Sequence, residues 1–204
     1  MISKFVRHSY TYYLLIASIV AGTLFSCSGS KSATADGTYK APGYVKKNYQ
    51  NIVVYAKIDQ DAYRQKLENT MVDYLNKKGY KAIPAYKNFE VSYKYDSVTF
   101  MNKINELKVD GVIALDYLGK TTGVSDSYRY NGGMYNFFVT GSAPFDLETK
   151  SSQVGYMRID FYNLDARISQ YNTVLPIKLF NGLDPAIKQI SEDTYAVLKS
   201  DRIL

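Results

Sequence analysis

The sequence predicts an α/β domain built on a single mixed sheet, and three observations predict it. A β-branched run is followed by a helical stripe and a second strand. A near-continuous apolar run then reads as a strand covered on both faces. Two further strand-like runs joined by turn residues lead into a C-terminal amphipathic helix. Strand–helix–strand–helix–strand at the start implies a parallel or mixed sheet with right-handed crossovers. The chain has 204 residues, 46% hydrophobic and 22% charged, enough for one core without disulfides.

Each element follows from its residues. NIVVYAKI (residues 51–58) is rich in β-branched side chains, which suit a buried strand. Asp59 and Asp61 are candidate N-caps of a helix running to residue 78, with Tyr63, Leu67, Met71, Tyr74 and Leu75 on one stripe and Gly79 at the C-terminal cap. Residues 80–86 read as a second strand. Ser97 caps a helix that turns Phe100, Met101, Ile104 and Leu107 inward and stops at Asp110-Gly111. VIALDYL (residues 112–118) is the doubly covered strand. Residues 154–162 and 167–175 form strands about the turn Asn163-Leu164-Asp165-Ala166. Asp184 as N-cap and Pro185 as first helical residue open the last helix, with Ile187, Ile190, Val197 and Leu198 as its stripe.

The N-terminal segment reads differently. Lys4, Arg7 and His8 form a basic start without acids, and residues 14–24 (LLIASIVAGTL) are apolar. That run is shorter than the about 20 residues a spanning helix needs and matches the apolar region of a secretory signal. It ends at Leu24-Phe25-Ser26-Cys27, which resembles the lipobox of bacterial lipoproteins, with Phe25 bulkier than usual at its position. The resemblance implies a signal peptide over residues 1–26 and lipid on Cys27, with diacylglycerol on the sulfur and a further acyl chain, palmitate-like, on the new amine.

Cleavage there takes Lys4, Arg7 and His8 with it, lowers the formal charge of +6 by two, and turns the sole Cys into a thioether. The mature chain then holds neither imidazole nor free thiol, which excludes His- and Cys-based catalysis and Cys/His zinc sites. Residues 28–43 are small and polar, a tether of roughly 20–24 Å as a coil. The expected organisation is signal peptide 1–26, lipidated Cys and tether 27–48, and domain 49–204 carrying a Tyr-rich hairpin insertion at 119–150. Some lipoproteins carry an acidic stretch there that resembles a surface-export signal; none follows Cys27, so the resemblance implies a periplasm-facing leaflet, and the expected location is the outer membrane. The residual charge is too mild to argue for nucleic acid.

Three passages resemble the small periplasmic lipoprotein domains similar to the TolB N-terminal domain, among them the curli-secretion lipoprotein and the lipoprotein activators of penicillin-binding proteins. The first is the opening strand with a helix placing Arg64, Glu68, Leu75 and Gly79. The second is the junction Val109-Asp110-Gly111-Val112-Ile113-Ala114-Leu115. The third is the hairpin Phe161-Tyr162-Asn163-Leu164-Asp165. This chain lacks the Trp that relatives often place in the returning strand. The resemblance implies a binding or assembly module of the cell envelope rather than an enzyme.

Within YRYNGGMYNFFV (residues 128–139), Asn131-Gly132-Gly133 is a strong hairpin signal. With a two-residue loop in either register, Tyr128, Tyr130, Tyr135 and Phe137 share one face. That face either contacts a protein, glycan or lipid headgroup, or packs on the domain. Among the acids, Asp116 lies within an apolar strand and needs a partner or a raised pKa, so it is the best candidate for acid chemistry. Asp146 and Glu148 read as solvated turn residues. Lys46, Lys47, Lys77 and Lys78 form short basic clusters suited to anionic surfaces, although the last pair also suits a helix C-terminus. No phosphate loop, dinucleotide fingerprint or nucleophile elbow is found, and no cofactor or metal is expected. The reading is a non-enzymatic envelope lipoprotein, with a glycan-binding lipoprotein and a carboxylate-dependent hydrolase as alternatives. A second copy of the chain stands beside an envelope protein or glycan as a partner.

Overall fold

The computed structural model describes residues 38–89, 97–119, 154–164, 169–179 and 182–204. They form one six-stranded mixed sheet with three α-helices, as expected. In chain order the elements are β1 (Tyr39–Lys40), β2 (Asn51–Lys57), α1 (Asp61–Lys77), β3 (Lys81–Pro84), a 3-10 turn (Ala85–Lys87), α2 (Ser97–Glu106), β4 (Gly111–Gly119), β5 (Val154–Asn163), β6 (Ser169–Lys178) and α3 (Leu183–Ser200). Strand order across the sheet is β1-β6-β5-β4-β2-β3. The three strands β3, β2 and β4 are parallel, while β5, β6 and β1 follow antiparallel.

The two faces are covered unequally. On one, Ile52, Val54, Ile113, Leu115, Ile159 and Phe161 pack with Leu67, Met71 and Leu75 of α1 and Ile187, Ile190 and Leu198 of α3. On the other, Val53, Tyr55, Val112, Ala114 and Tyr162 pack with Phe100 and Ile104 of α2. Residues Gly111 to Tyr117 of β4 are buried throughout, which is why this strand reads as an unbroken apolar run.

Several boundaries differ from expectation for local reasons. Gln60, not an aspartate, precedes α1 and makes no side-chain cap; Asp61 instead sits in the first turn and pairs with Arg64 at 3.0 Å. Gly79 does follow the helix, at φ +93°, the left-handed conformation in which a side chain is strained. After α2 the reversal falls on Lys108 at φ +50°, two residues before the expected stop at Asp110-Gly111. The last helix begins at Leu183 after Gly182, so Asp184 and Pro185 lie inside its first turn rather than at its cap. The β5–β6 ladder closes at Tyr162↔Ser169. β6 is described from Ser169 and runs on through Pro176 to Lys178, past the expected end at residue 175.

Residues 39–40, inside the stretch read as tether, form the edge strand β1 against Tyr171 and Asn172 of β6. The chain beyond them also docks. Lys40 Nζ donates to the Asp201 carbonyl, Tyr44 Oη to that of Ile203, and Lys46 Nζ to Leu204, over a C-terminus whose Ile203 and Leu204 are buried.

Candidate functional site

The β4–β5 register places Asp116 opposite Arg158, and the β2–β4 register places Lys57 opposite Asp116. Lys57, Asp116 and Arg158 thus form one row across three strands, on the face that carries Val53, Tyr55 and Val112. Two residues along β5, Asp160 shares this face and lies opposite Asn172 of β6. All five are buried, Asp160 completely.

Arg158 joins the acids. Its Nη2 donates to Asp116 Oδ2 at 2.7 Å, and its Nε lies 2.8 Å from Asp160 Oδ2. Lys57 Nζ stands 3.9 Å from Asp116 Oδ2 on the opposite side. Ser169 Oγ donates to Asp160 Oδ1 at 3.1 Å. Two cations and two carboxylates balance, as a buried cluster requires.

Burial pushes the Asp116 and Asp160 carboxyls up, Asp160 to about 6, with Arg158 pulling both back. Burial likewise pushes the Lys57 ammonium down, against the pull of Asp116. Asp116, the candidate for acid chemistry, therefore sits between two cations in a row that ties three strands together. A carboxyl whose folded-state value exceeds its unfolded value favours the fold below the unfolded value, and loses that contribution as pH rises through the folded one. Asp160→Asn should therefore cost more stability at about pH 5 than at about pH 8, measured by urea titration at each pH. An equal or greater cost at the higher pH would reject this account.

A second buried acid was missed by sequence reasoning as a site. The connection from β2 passes over one face through α1, and that from β3 over the other through α2. In open α/β sheets, such a divergence opens a crevice at the carboxyl ends of the strands where ligands settle. Here Glu68 of α1 fills it. β3 ends at Pro84, opposite Val54, so the Ala56 amide lies past its end. That amide donates to Glu68 Oε1 at 3.0 Å, and the Tyr86 amide donates to Oε2 at 2.8 Å. Glu68 is fully buried. Burial pushes its carboxyl up to about 7, while the amide donors and Arg64 pull it down.

Other expected residues have structural partners. Lys78 lies over the Tyr74 and Tyr195 rings at 5.2 and 5.6 Å, and Lys46 is bound to Leu204. Cys27, Tyr128, Tyr130, Tyr135, Phe137, Asp146 and Glu148 lie outside the described residues. Among those described, no cluster of three or more Asp, Glu, His or Cys is set to hold a metal, and no helix is long and apolar enough to cross a membrane.

The passages behind the family resemblance acquire physical roles. Asp110 accepts from the Gln50 and Asn51 amides at 2.6 and 3.0 Å, fastening the start of β2 beside β4. Gly111 lies against the Phe161 and Tyr49 rings. Leu75 is core, and Glu68 fills the crevice.

No family model and no curated protein matches the chain. Among solved structures, it is similar to the PelC dodecamer from Paraburkholderia phytofirmans (9% identity, TM-score 0.43, covering 78% of this chain and 93% of that one). It is also similar to lipoprotein GNA1162 from Neisseria meningitidis (8% identity, TM-score 0.39, covering 74% and 99%). A third is protein XCC0632 from Xanthomonas campestris (11% identity, TM-score 0.34, covering 80% and 91%). Likeness at this level carries no argument about function.

Proposed function

We propose that this chain is a lipid-anchored lipoprotein of the bacterial cell envelope whose domain acts as a non-enzymatic binding or assembly module. The observation that carries the reading is Leu24-Phe25-Ser26-Cys27 directly after the basic and apolar N-terminal regions. Acyl chains on Cys27 contribute ~0.8 kcal/mol per buried CH₂, so two or three hold a domain durably on a membrane. With Thr38 bonded to Thr173 and residues 39–40 in the sheet, at most residues 28–37 separate Cys27 from the domain, fewer than the sequence alone implies. The domain accordingly works close to the lipid surface, on the periplasmic side of the outer membrane.

The non-enzymatic reading draws on Asp116, whose two cations hold it in a balanced row rather than leaving it free for proton transfer. The partner is an envelope protein or glycan, with Tyr128, Tyr130, Tyr135 and Phe137 as its contact face. Cys27→Ala should abolish labelling by a fatty-acid probe and release the protein from membranes. Unchanged labelling would reject the anchor. Crosslinked pull-down from the native envelope, with and without Tyr130→Ser and Tyr135→Ser, tests the contact face; an unaltered set of partners would exclude it.

A further inference from the structure

The 3-10 turn after β3 is held to the domain from α1. The Glu68 carboxylate accepts the Tyr86 amide, and the Asn69 side chain meets Tyr86 Oη at 3.0–3.2 Å. Tyr86, with Lys87, Asn88 and Phe89, forms one wall of a groove of about 440 Å³ whose other wall is α2, at Thr99, Asn102, Lys103 and Glu106. One carboxylate therefore joins the end of β2, through Ala56, to the wall of this groove.

The carboxylate is short of positive charge. Arg64, one turn earlier on α1, faces it but ion-pairs with Asp61. From the turn it meets the Tyr86 and Ala85 backbone amides, the Tyr86 hydroxyl being bonded to Asn69 instead. Lys57, next to Ala56, belongs to the opposite sheet face with Asp116. Among the described residues no cation contacts Glu68 within ion-pairing distance, and a buried carboxyl so placed takes up a proton well above the usual carboxylate range.

An ionised carboxylate accepts from the Ala56, Tyr86 and Ala85 amides at once. A protonated one gains an O–H donor, and the oxygen that carries it becomes a much weaker acceptor, so the amide bonds on that oxygen weaken. We propose that Glu68 is a proton-controlled latch, holding the turn at residues 85–89 and the groove wall on the sheet when ionised and releasing the Tyr86 amide when protonated. Burial places this exchange near neutral pH, at about 7, within the range an envelope exposed to the surroundings would meet.

The test follows the Ala56 and Tyr86 amides and the Glu68 carboxyl carbon by NMR in the full-length chain, from about pH 5.5 to about pH 8.5, a range that brackets the exchange. All three signals should share one midpoint. Hydrogen-exchange protection at Tyr86, corrected for intrinsic rate, should fall about tenfold below it, the equivalent of one lost hydrogen bond. In Glu68→Gln both amides should be insensitive to pH over that range. If that variant does not fold, the wild-type curves decide, because the carboxyl carbon reports the proton directly. Amides that do not follow the carboxyl, protection that stays constant, or a transition that persists in Glu68→Gln would overturn the latch.

Discussion

Arg158→Met should lower stability by about 3–5 kcal/mol at neutral pH, because it strands two buried carboxylates at once. Asp116 would lose its 2.7 Å partner and Asp160 its 2.8 Å partner. Lys57 stands 3.9 Å from Asp116, farther than Arg158 does. Water cannot compensate, since Asp160 is fully buried. The loss should shrink as pH falls, because protonation relieves the stranded acids. Urea denaturation at two pH values measures both effects, and a loss under about 1 kcal/mol at neutral pH would reduce the row to a dispensable contact. Replacing Lys57, Asp116, Arg158 and Asp160 together by Met, Leu, Met and Leu removes the desolvation cost along with the attraction, and should recover most of the stability. If that variant folds yet fails to complement a deletion in cells, the charges serve the module's partner; if it complements, they serve strand register.

The strands and helices were legible because their periodicity is strong. The row was not, and the reason lies in β5. Arg158 and Asp160 alternate with Met157, Ile159 and Phe161, a pattern that ordinarily marks one wet and one dry face. Here both faces are buried, and only strand order reveals that Asp116, which the sequence did single out, has its counter-ion 42 residues further on. Glu68 was visible within the family-like passage, but its role depends on β3 ending at Pro84, two residues short of the level of Ala56. Propensity does not settle where a short edge strand stops. The helix starts failed for a related reason. Asp59, Asp61 and Asp184 all favour caps, yet Gln60 and Gly182 take the cap positions, while Asp61 and Asp184 lie in the first turns and pair with Arg64 and Lys66. β1 escaped notice because two residues carry no periodicity at all.

Gly111 and Phe161 make the last argument, because their passages lie far apart in sequence and meet in space. A Cβ on Gly111 would stand 3.0 Å from Phe161 Cζ and 3.2 Å from Tyr49 Cδ1, and the Phe161 and Tyr49 rings already meet edge to face at 4.8 Å. Phe161 is fully buried. Phe161→Ala should therefore cost about 3–5 kcal/mol through lost burial and the cavity left behind. Gly111→Ala should cost about 1–3 kcal/mol by overpacking, since Asp110 on one side and the β4 ladder on the other restrain the backbone. In the double variant the new methyl enters the space the ring has left, so the combined loss should fall short of the sum by about 1–2 kcal/mol. Simple additivity in a urea-monitored double-mutant cycle would mean that Gly111 is required for its backbone and not for the approach of the ring. A shortfall would establish that the two family-like passages share one packing constraint, so that a larger residue at 111 is tolerated only with a smaller one at 161.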